Sequence, residues 1–359
     1  MSLQSFQANN FRNLKNISLD LHPEYNLFYG SNGSGKTSLL EAIYYLGMGK
    51  SFRSHLHRRI IAHTATEFSV FGSIQQQSAL IPVGIERSIE TEGKIRIANN
   101  NVHSSAELAK LLPLQLLNQN CYHFFEHGPK ARRQFLDWGV FHVEHSFSGV
   151  WKNAERIIEQ RNVLIKNRIK SNQLETWNFE LAAASEAIHG LREKVFNLFI
   201  PIINDYLCSL FKDFEISITY EPGWDVSKNL QTILEENFQH ELYLGYTEFG
   251  PHRADLKFKV KNLPAQDVLS RGQLKLLLYV LRFALGTLLY NFSGKKCCYL
   301  VDDFGAELDC DRRAELAELL INLNTQVFIT SLDKNDIIKV FATKNVKMFH
   351  VEHGNIVAC

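Results

Sequence analysis

The alternation of apolar and polar residues divides the chain into strand-rich and helical stretches. From Leu3 to Phe28 the pattern alternates and turns as paired strands do, and Ile17–Leu21 shows a clean period of two. Residues 66–97 repeat this alternation in several short segments, which predicts an antiparallel sheet. From Lys130 to about Leu210 the apolar spacing is helical instead. The pattern therefore predicts one strand-rich part and one largely helical part.

The helical part contains two long amphipathic segments, residues 151–170 and 174–198, separated by a short polar turn. This arrangement predicts an antiparallel helical hairpin. Its cationic face suits either solvent or DNA, and the pattern alone leaves both open. A third apolar stretch, residues 274–290, contains Lys275 and Arg282, so we expect a buried helix rather than a membrane span.

The segment Gly30–Thr37 fits the phosphate-binding pattern G-x-x-x-x-G-K-[ST]. A strand candidate, Tyr25–Tyr29, precedes it, and an apolar helical pattern follows from Leu39. Glycines let the backbone wrap around phosphate oxygens, and amides at the helix N-terminus point toward them. Lys36 is expected to reach the β- and γ-phosphates, and the Thr37 hydroxyl to ligate Mg²⁺. The predicted nucleotide-binding residues of this loop are Gly30, Ser31, Asn32, Gly33, Ser34, Gly35, Lys36 and Thr37.

A second nucleotide-site feature is the apolar strand Cys297–Val301, which ends in Asp302 and Asp303 and has the Walker B form. Asp302 is expected to hold Mg²⁺, directly or through water, and Asp303 to position or deprotonate the attacking water. The strand, helix and strand that follow indicate a parallel sheet, whose next strand ends at Thr330–Ser331. The predicted catalytic residues are Lys36, Asp302 and Asp303, and the predicted metal ligands are Thr37 and Asp302.

Three further segments each allow two interpretations. Ser270 and Gly272, just before the third apolar helix, suit either a γ-phosphate contact or an ordinary helix cap. Arg12, between two N-terminal strands, is either a phosphate contact or a solvated turn residue. The cationic stretch Gly49–Arg59 suits either a charged loop or a DNA backbone contact.

Composition narrows the possible classes of protein. The length of 359 residues suggests about two domains, and 45% hydrophobic with 21% charged residues is ordinary globular composition. A net charge of +1 gives no global basic field, so any DNA binding must use local patches. The 6 cysteines show no C-x-x-C spacing, which favours a reduced, cytoplasmic compartment without a zinc site. The N-terminus has no secretory signal pattern.

The order of these motifs resembles the ATPase head of ABC and SMC-type proteins. Within that group the chain resembles the RecF family of bacterial recombination mediators over nearly its whole length. The segments that carry the resemblance are Asn10–Leu14, the P-loop with Leu40–Ile43, Gly49–Arg53, Gly128–Pro129, Arg132–Asp137, Gly250–Arg253, Ser270–Lys275, Asp302–Asp303 and Glu307–Asp309.

This resemblance implies an α/β fold: an ABC/SMC-type P-loop ATPase head with a mixed sheet, and a largely helical second lobe bearing a short antiparallel helical hairpin. Lobe I is expected at residues 1–107 and 290–359, and lobe II at residues 108–289. The family uses ATP with Mg²⁺ and forms an ATP-dependent homodimer. The trans contacts implied for each P-loop are Ser270, Gly272 and Gln273 of the second copy, with Arg12 as a further phosphate contact.

The resemblance also implies partners and a slow reaction. The expected partners are double-stranded, gapped or junction DNA together with RecO and RecR, for loading RecA in repair and SOS induction, with no membrane. The resemblance implies weak, DNA-stimulated ATP hydrolysis. Two departures agree with a slow reaction: Thr330–Ser331 stands where ABC enzymes usually place a histidine, and Asp303 where they place a glutamate. The Q-loop glutamine is either Gln115 or Gln119. The alternatives are another SMC/ABC-type repair ATPase, a nucleotide kinase or a transporter subunit.

Overall fold

A computed structural model describes residues 1–91, 93–118, 121–168, 171–305, 310–341 and 344–359. The chain forms two compact units: unit 1 is Met1–Gln119 with Gly294–Cys359, and unit 2 is Asn120–Ser293. The sequence predicts lobe boundaries at 107/108 and 289/290, whereas the two units divide at 119/120 and 293/294. Leu114–Leu117 lies in unit 1 because this strand pairs in parallel with Cys298–Val301.

The strands follow one another along the described residues in this order. They are β1 (Ser2–Phe11), β2 (Leu14–Asp20), β3 (Tyr25–Tyr29), β4 (Glu67–Gln76), β5 (Ala79–Ser88), β6 (Lys94–Ile97), β7 (Asn100–Asn101), β8 (Leu114–Leu117), β9 (Ile216–Glu221), β10 (Asp255–Val260), β11 (Leu263–Pro264), β12 (Cys298–Val301), β13 (Val327–Ser331), β14 (Val346–Glu352) and β15 (Asn355–Ala358).

The α-helices of the same residues lie between these strands. They are α1 (Lys36–Met48), α2 (Ser105–Leu111), α3 (Cys121–Glu126), α4 (Lys130–Val143), α5 (Phe147–Lys166), α6 (Glu175–Leu210), α7 (Leu230–Glu236), α8 (Phe238–Leu244), α9 (Ala265–Val268), α10 (Arg271–Ser293), α11 (Cys310–Asn322) and α12 (Asn335–Ile338).

Unit 1 contains two six-stranded sheets around one apolar core. The first sheet is antiparallel, with strand order β2-β1-β4-β5-β6-β7, as the alternation of residues 66–97 predicts. Along β4 the buried positions are Phe68, Val70, Gly72 and Ile74, the period of two of a half-buried strand. The core cluster joins apolar side chains of both sheets and of α1.

The second sheet of unit 1 positions the nucleotide motifs. Its order is β15-β14-β3-β13-β12-β8, with parallel pairing from β14 to β8 and β15 antiparallel at the edge. Strands β3, β13 and β12 are neighbours, so their carboxyl ends share one sheet edge. In open α/β sheets this edge is where ligands bind. The P-loop, Thr330 and Asp302 therefore come together at this edge.

Unit 2 is built mainly of helices, with the three-stranded sheet β11-β10-β9. The predicted hairpin helices are α5 and α6, which pack together, but α6 continues past Leu198 to Leu210 with Pro201 inside it. The segment 229–244 forms two helices, α7 and α8, and at the end of α7 the Asn237 side chain donates to the Ile233 carbonyl at 2.8 Å. Helix α11 begins at Cys310 and has Asp311 in its first turn.

Helix α10 is the one helix among the described residues with the length and apolar composition to cross a membrane. Of its most apolar 18-residue window, 67% is buried within the protein. Buried core helices pass the same length test, and this burial agrees with the interpretation of residues 274–290 as a core helix.

Buried ion pairs hold the helices of unit 2 together. Arg161 on α5 donates to Glu241 on α8 at 2.7 Å, and both side chains are fully buried. The same guanidinium donates to Asn178 on α6 at 2.8 Å and to Thr247 at 2.9 Å. Because its Nε, Nη1 and Nη2 each donate to a different partner, this arginine fixes three separate segments against one another.

We predict that Arg161→Met destabilises unit 2 by about 3–5 kcal/mol, because it leaves the Glu241 carboxylate buried without its cation. The matched control is Arg156→Met, which removes an exposed arginine from the same helix. Urea unfolding followed by circular dichroism measures the difference. Equal midpoints for the two variants would contradict the structural role of Arg161.

Candidate nucleotide-binding site

The P-loop predicted at Gly30–Thr37 lies between β3 and α1. Gly35 adopts a φ of +120°, a conformation that favours glycine. Helix α1 begins at Lys36 without a side-chain cap and without an acidic residue in its first turn. The amides of this turn are therefore left for an external acceptor, and the helix dipole favours an anion there.

Two side chains of the loop show how it is prepared for an anion. The Lys36 ammonium donates to the Gly30 carbonyl at 2.6 Å and to the Ser31 carbonyl at 2.8 Å. Burial lowers the pKa of Lys36, while the nearby carboxylates of Asp303 and Asp302 oppose that shift. The Ser34 hydroxyl is buried and has no hydrogen-bond partner among the described residues. A phosphate oxygen at the loop would supply that partner.

Asp302 connects the first turn of α1 with the ends of β12 and β13 at this edge. Its Oδ1 accepts from the Thr37 hydroxyl at 3.1 Å and from the Thr330 hydroxyl at 2.9 Å. The Thr330 hydroxyl in turn accepts from the Asp303 amide at 2.8 Å. Burial raises the pKa of Asp302, as does Asp303, whereas the bonds from Thr330 and Thr37 lower it.

The oxygen donors at this point fit a hard divalent cation. The Thr37 hydroxyl and the Asp302 carboxylate are adjacent, and both are oxygen ligands of the kind that Mg²⁺ prefers. The described residues contain no group of three or more His, Cys, Asp or Glu side chains that could enclose a metal. A small donor set suits Mg²⁺, which keeps waters and takes its other ligands from phosphates.

A cleft of about 540 Å³ opens beside the loop in unit 1. Four cations line it, together with a single carboxylate, so its electrostatic character suits a polyphosphate. The lining residues are Arg12, Asn13, Asn32, Gly33, Gly35, Lys36, Thr37, Ser38, Arg53, Arg59, Ile61, His63 and Asp303.

Arg12 lies at this cleft, but its guanidinium is already engaged. Its Nε and Nη2 donate to the two carboxylate oxygens of Glu41 at 3.0 and 2.7 Å, and its Nη1 donates to the Arg59 carbonyl. Glu41 is fully buried and also accepts from Ser51 and, at 3.4 Å, from Arg53. A direct contact of Arg12 with phosphate stays a prediction, while the geometry makes Glu41 the anchor of this cationic wall.

Three further residues contribute to the site although no sequence pattern assigns them to it: Glu41, Asn13 and Gly354. Glu41 had a local signal, since it is a carboxylate on an otherwise buried, apolar helix face. Asn13 donates to the Gly33 carbonyl at 3.4 Å, and the Gly354 amide donates to the Ser34 carbonyl at 2.8 Å. The turn between β14 and β15 therefore braces the P-loop, a contact between opposite ends of the chain.

Residues 269–273, at the start of α10, lie in unit 2, and Ser270 and Gln273 cap this helix by hydrogen bonds to each other. The Ser270 amide donates to the Gln273 side-chain oxygen at 2.8 Å, and the Gln273 amide donates to the Ser270 hydroxyl at 3.4 Å. Ser270 is exposed, and Gly272 is partly exposed. The helix-cap interpretation therefore describes this chain on its own, and a phosphate contact by Ser270, Gly272 and Gln273 stays a prediction.

The remaining predicted positions are placed unevenly. Thr330, where a histidine would be typical, is fully buried and bonded to Asp302, whereas Asp303 has a φ of +53° and lines the cleft. Gln115 is a buried residue within β8. Gln119 and the segment 306–309 lie outside the described residues.

We predict that Gly354→Ala weakens nucleotide binding roughly tenfold, a cost of about 1.4 kcal/mol. A Cβ at this position would lie 2.0 Å from the Asn13 carbonyl oxygen, and its φ of +79° disfavours side chains. Titration with a fluorescent ATP analogue measures the affinity. The control is Val357→Ala, an exposed position of the same hairpin. Equal affinities for the two variants would show that the hairpin does not brace the loop.

Comparison with known proteins places this geometry in a family. Residues 2–357 match the model described as RecF/RecN/SMC N terminal domain. Proteins named DNA replication and repair protein RecF are 42% identical over 357 residues in Psychromonas ingrahamii and 41% identical over 361 residues in Cellvibrio japonicus, each alignment covering 99% of both chains.

Two solved structures show the same fold. The structure described as the recombination mediator protein RecF-ATP in RecFOR pathway has a TM-score of 0.89 and 24% identity, covering 100% of this chain and 97% of that one. An SMC head bound to the C-winged helix domain of ScpA has a TM-score of 0.60 and 13% identity, covering 100% and 98%. The predicted ABC/SMC-type head fold is confirmed, and the chain belongs to the RecF family of RecF/RecN/SMC proteins.

Proposed function

We propose that this chain is an ATP-gated DNA-binding protein of recombinational repair and replication. The observation that carries the proposal is the Asp302 carboxylate, which accepts from Thr37 of the P-loop and from Thr330 beside a cationic cleft. The names of the relatives, which specify DNA replication and repair, support the same conclusion. One solved relative is described with ATP in the RecFOR pathway.

In this proposal the cleft binds ATP through groups already arranged for phosphate. Lys36 and the first-turn amides of α1 bind the phosphate oxygens. Thr37 and Asp302 hold Mg²⁺, which neutralises phosphate charge when it is bound. Asp303 orients the attacking water and accepts its proton.

Hydrolysis at this site is expected to be slow. The Thr330 hydroxyl donates to Asp302 and accepts from the Asp303 amide, so both its hydrogen-bonding roles are used within the protein. A threonine hydroxyl does not act as an acid or a base near neutral pH, whereas an imidazole does. The chain is therefore proposed to use weak, DNA-stimulated hydrolysis as a timer that releases DNA.

The second half of each active site is proposed to come from another copy. Ser270 caps α10 from an exposed position, and α10 has no acidic residue in its first turn. Such a helix N-terminus can accept a γ-phosphate presented by a second subunit. ATP then joins two heads, and DNA that binds the joined form tightens dimerisation by the factor with which ATP tightens DNA binding.

The partners in this proposal are double-stranded, gapped or junction DNA, and RecO and RecR. The joined heads retain DNA in the cytoplasm while RecO and RecR promote RecA loading during repair and SOS induction. The relative whose description names the RecFOR pathway supports this set of partners.

We predict that Ser270→Asp abolishes ATP-dependent dimers but leaves ATP binding by monomers within about twofold of wild type. Aspartate caps a helix as well as serine does, so the fold is retained while its charge repels a phosphate. Gln266→Asp, at an exposed position just before this cap, is the charge-matched control. Sedimentation with a non-hydrolysable ATP analogue measures dimers, and normal dimers in Ser270→Asp would refute the trans site.

We predict that Asp303→Asn lowers the ATP turnover rate at least about tenfold, because it removes the group that accepts the proton. ATP-bound dimers should then accumulate on DNA. Asp20→Asn, at an exposed position of β2, is the control. Phosphate release under saturating ATP measures turnover, and a wild-type rate would remove Asp303 from this role.

A further inference from the structure

A second cationic cleft lies in unit 2, and none of its lining residues is among those assigned to the nucleotide. Its volume is about 430 Å³. It is formed by two segments that carry the family resemblance but that the proposed ATPase mechanism does not use. The lining residues are His123, His127, Gly128, Pro129, Lys130, Ala131, Arg133, Gln134, His252 and Arg253.

The three cations of this cleft form no direct ion pair among the described residues, although the Asp137 and Asp255 carboxylates act on Arg133 at longer range. Lys130, Arg133 and Arg253 have no carboxylate within 4.0 Å in the part of the chain that the structure describes. The sequence neighbour of one of them, Arg132, is buried and paired with Asp255 at 2.7 Å. The lining contains no Asp or Glu. Of the adjacent Arg132 and Arg133, the first thus serves the scaffold and the second lines the cleft.

The two guanidinium groups are held in place by neutral partners. Arg133 donates to the Ala254 carbonyl at 2.9 Å, and Arg253 donates to the Thr247 carbonyl at 3.1 Å. The Arg253 guanidinium also lies over the Tyr246 ring, 4.7 Å from its centroid. These contacts fix each side chain without a direct ion pair among the described residues, and they leave most of its five N–H donors unused. The cleft is therefore preorganised for an anion.

Two neighbouring groups agree with this electrostatic character. His252 Nε2 lies 3.0 Å from the Thr247 carbonyl, and its Nδ1 is buried with no partner among the described residues. Burial lowers the pKa of His252 to about 4, so the ring is neutral near pH 7 and the positive charge resides on the lysine and arginines. Helix α4 begins at the cleft with Pro129 as its cap and no acidic residue in its first turn.

The lining also restricts the kind of anion. Beside its three histidines it has no Phe, Tyr or Trp, while three cations line it without a carboxylate, so charge is the main feature that it offers and a phosphate is the part of a nucleic acid that it suits best. We propose that this cleft binds a backbone phosphate of DNA and forms part of the DNA-binding surface. The proposal rests on the DNA binding of the proposed function. The other source of the same chemistry is the phosphate of a free nucleotide.

The test compares two double variants that remove the same charge. Lys130→Gln/Arg253→Gln removes two exposed cations of the cleft, and Lys166→Gln/Lys259→Gln removes two exposed cations elsewhere in unit 2. Labelled gapped duplex is titrated over a salt series with a non-hydrolysable ATP analogue. The cleft variant should bind DNA roughly tenfold more weakly, and its plot of log affinity against log salt should lose about 1–2 units of slope.

The other measurements separate the possible results. ATP affinity without DNA and ATP-dependent dimers should stay at wild-type level in both double variants, and the control should bind DNA as wild type does. Lys130→Glu, a single change at an exposed position, should weaken DNA binding in the same direction.

Wild-type DNA affinity and salt slope in the cleft variant would overturn the proposal. Loss of ATP affinity with DNA binding retained would assign the cleft to nucleotide phosphate instead. Absence of DNA binding by the wild-type chain would overturn the proposed function, and the cleft assignment with it.

Discussion

The candidate nucleotide site depends on the two hydrogen bonds that the Asp302 carboxylate accepts. One of its oxygens accepts from Thr37 after β3 and from Thr330 on β13, while Asp302 itself follows β12. A buried carboxylate is tolerated only when it is hydrogen-bonded, so the burial of Asp302 favours a geometry in which the first turn of α1 and the end of β13 both contact the end of β12. In the proposed function the same carboxylate also holds Mg²⁺, so structural cohesion and cation binding would use the same atoms. This would tie the geometry of the P-loop to that of the Walker B strand.

The net charge of the chain does not show that its lysines and arginines have different roles. Some arginines form ion pairs with buried carboxylates, and other cations line the two clefts. Buried carboxylates such as Glu41, Glu241 and Asp255 neutralise particular arginines and hold the scaffold. Each of the two clefts described above brings three or four Lys and Arg side chains together, with at most one carboxylate in its lining. A chain with a formal charge of +1 can therefore present local sites for phosphate without a global basic field.

Local patterns predicted the motifs and most of the strands and helices, because the P-loop, the Walker B strand and α10 are each defined by contiguous residues. They did not predict the contacts that join distant segments. The bond of Gly354 to Ser34 and the role of Thr330 depend on strand order, which no local spacing encodes. Local propensity also predicted too early an end for α6, at residue 198, because proline disfavours a helix interior. In the structure α6 continues to Leu210, and packing along its buried face accommodates Pro201. The local patterns likewise did not predict that backbone carbonyls accept from the Arg133 and Arg253 guanidinium groups.

In the proposed function, the P-loop of one copy and residues 269–273 of another copy together bind one ATP molecule. Mixing Lys36→Met chains with Ser270→Asp chains tests it directly, because a mixed dimer has one site in which both halves are intact. With each chain carrying a different fluorophore, ATP-dependent energy transfer and ATP turnover report that site. The account predicts that the mixture dimerises and hydrolyses ATP although neither variant does so alone. A mixture as inactive as its two components would contradict it.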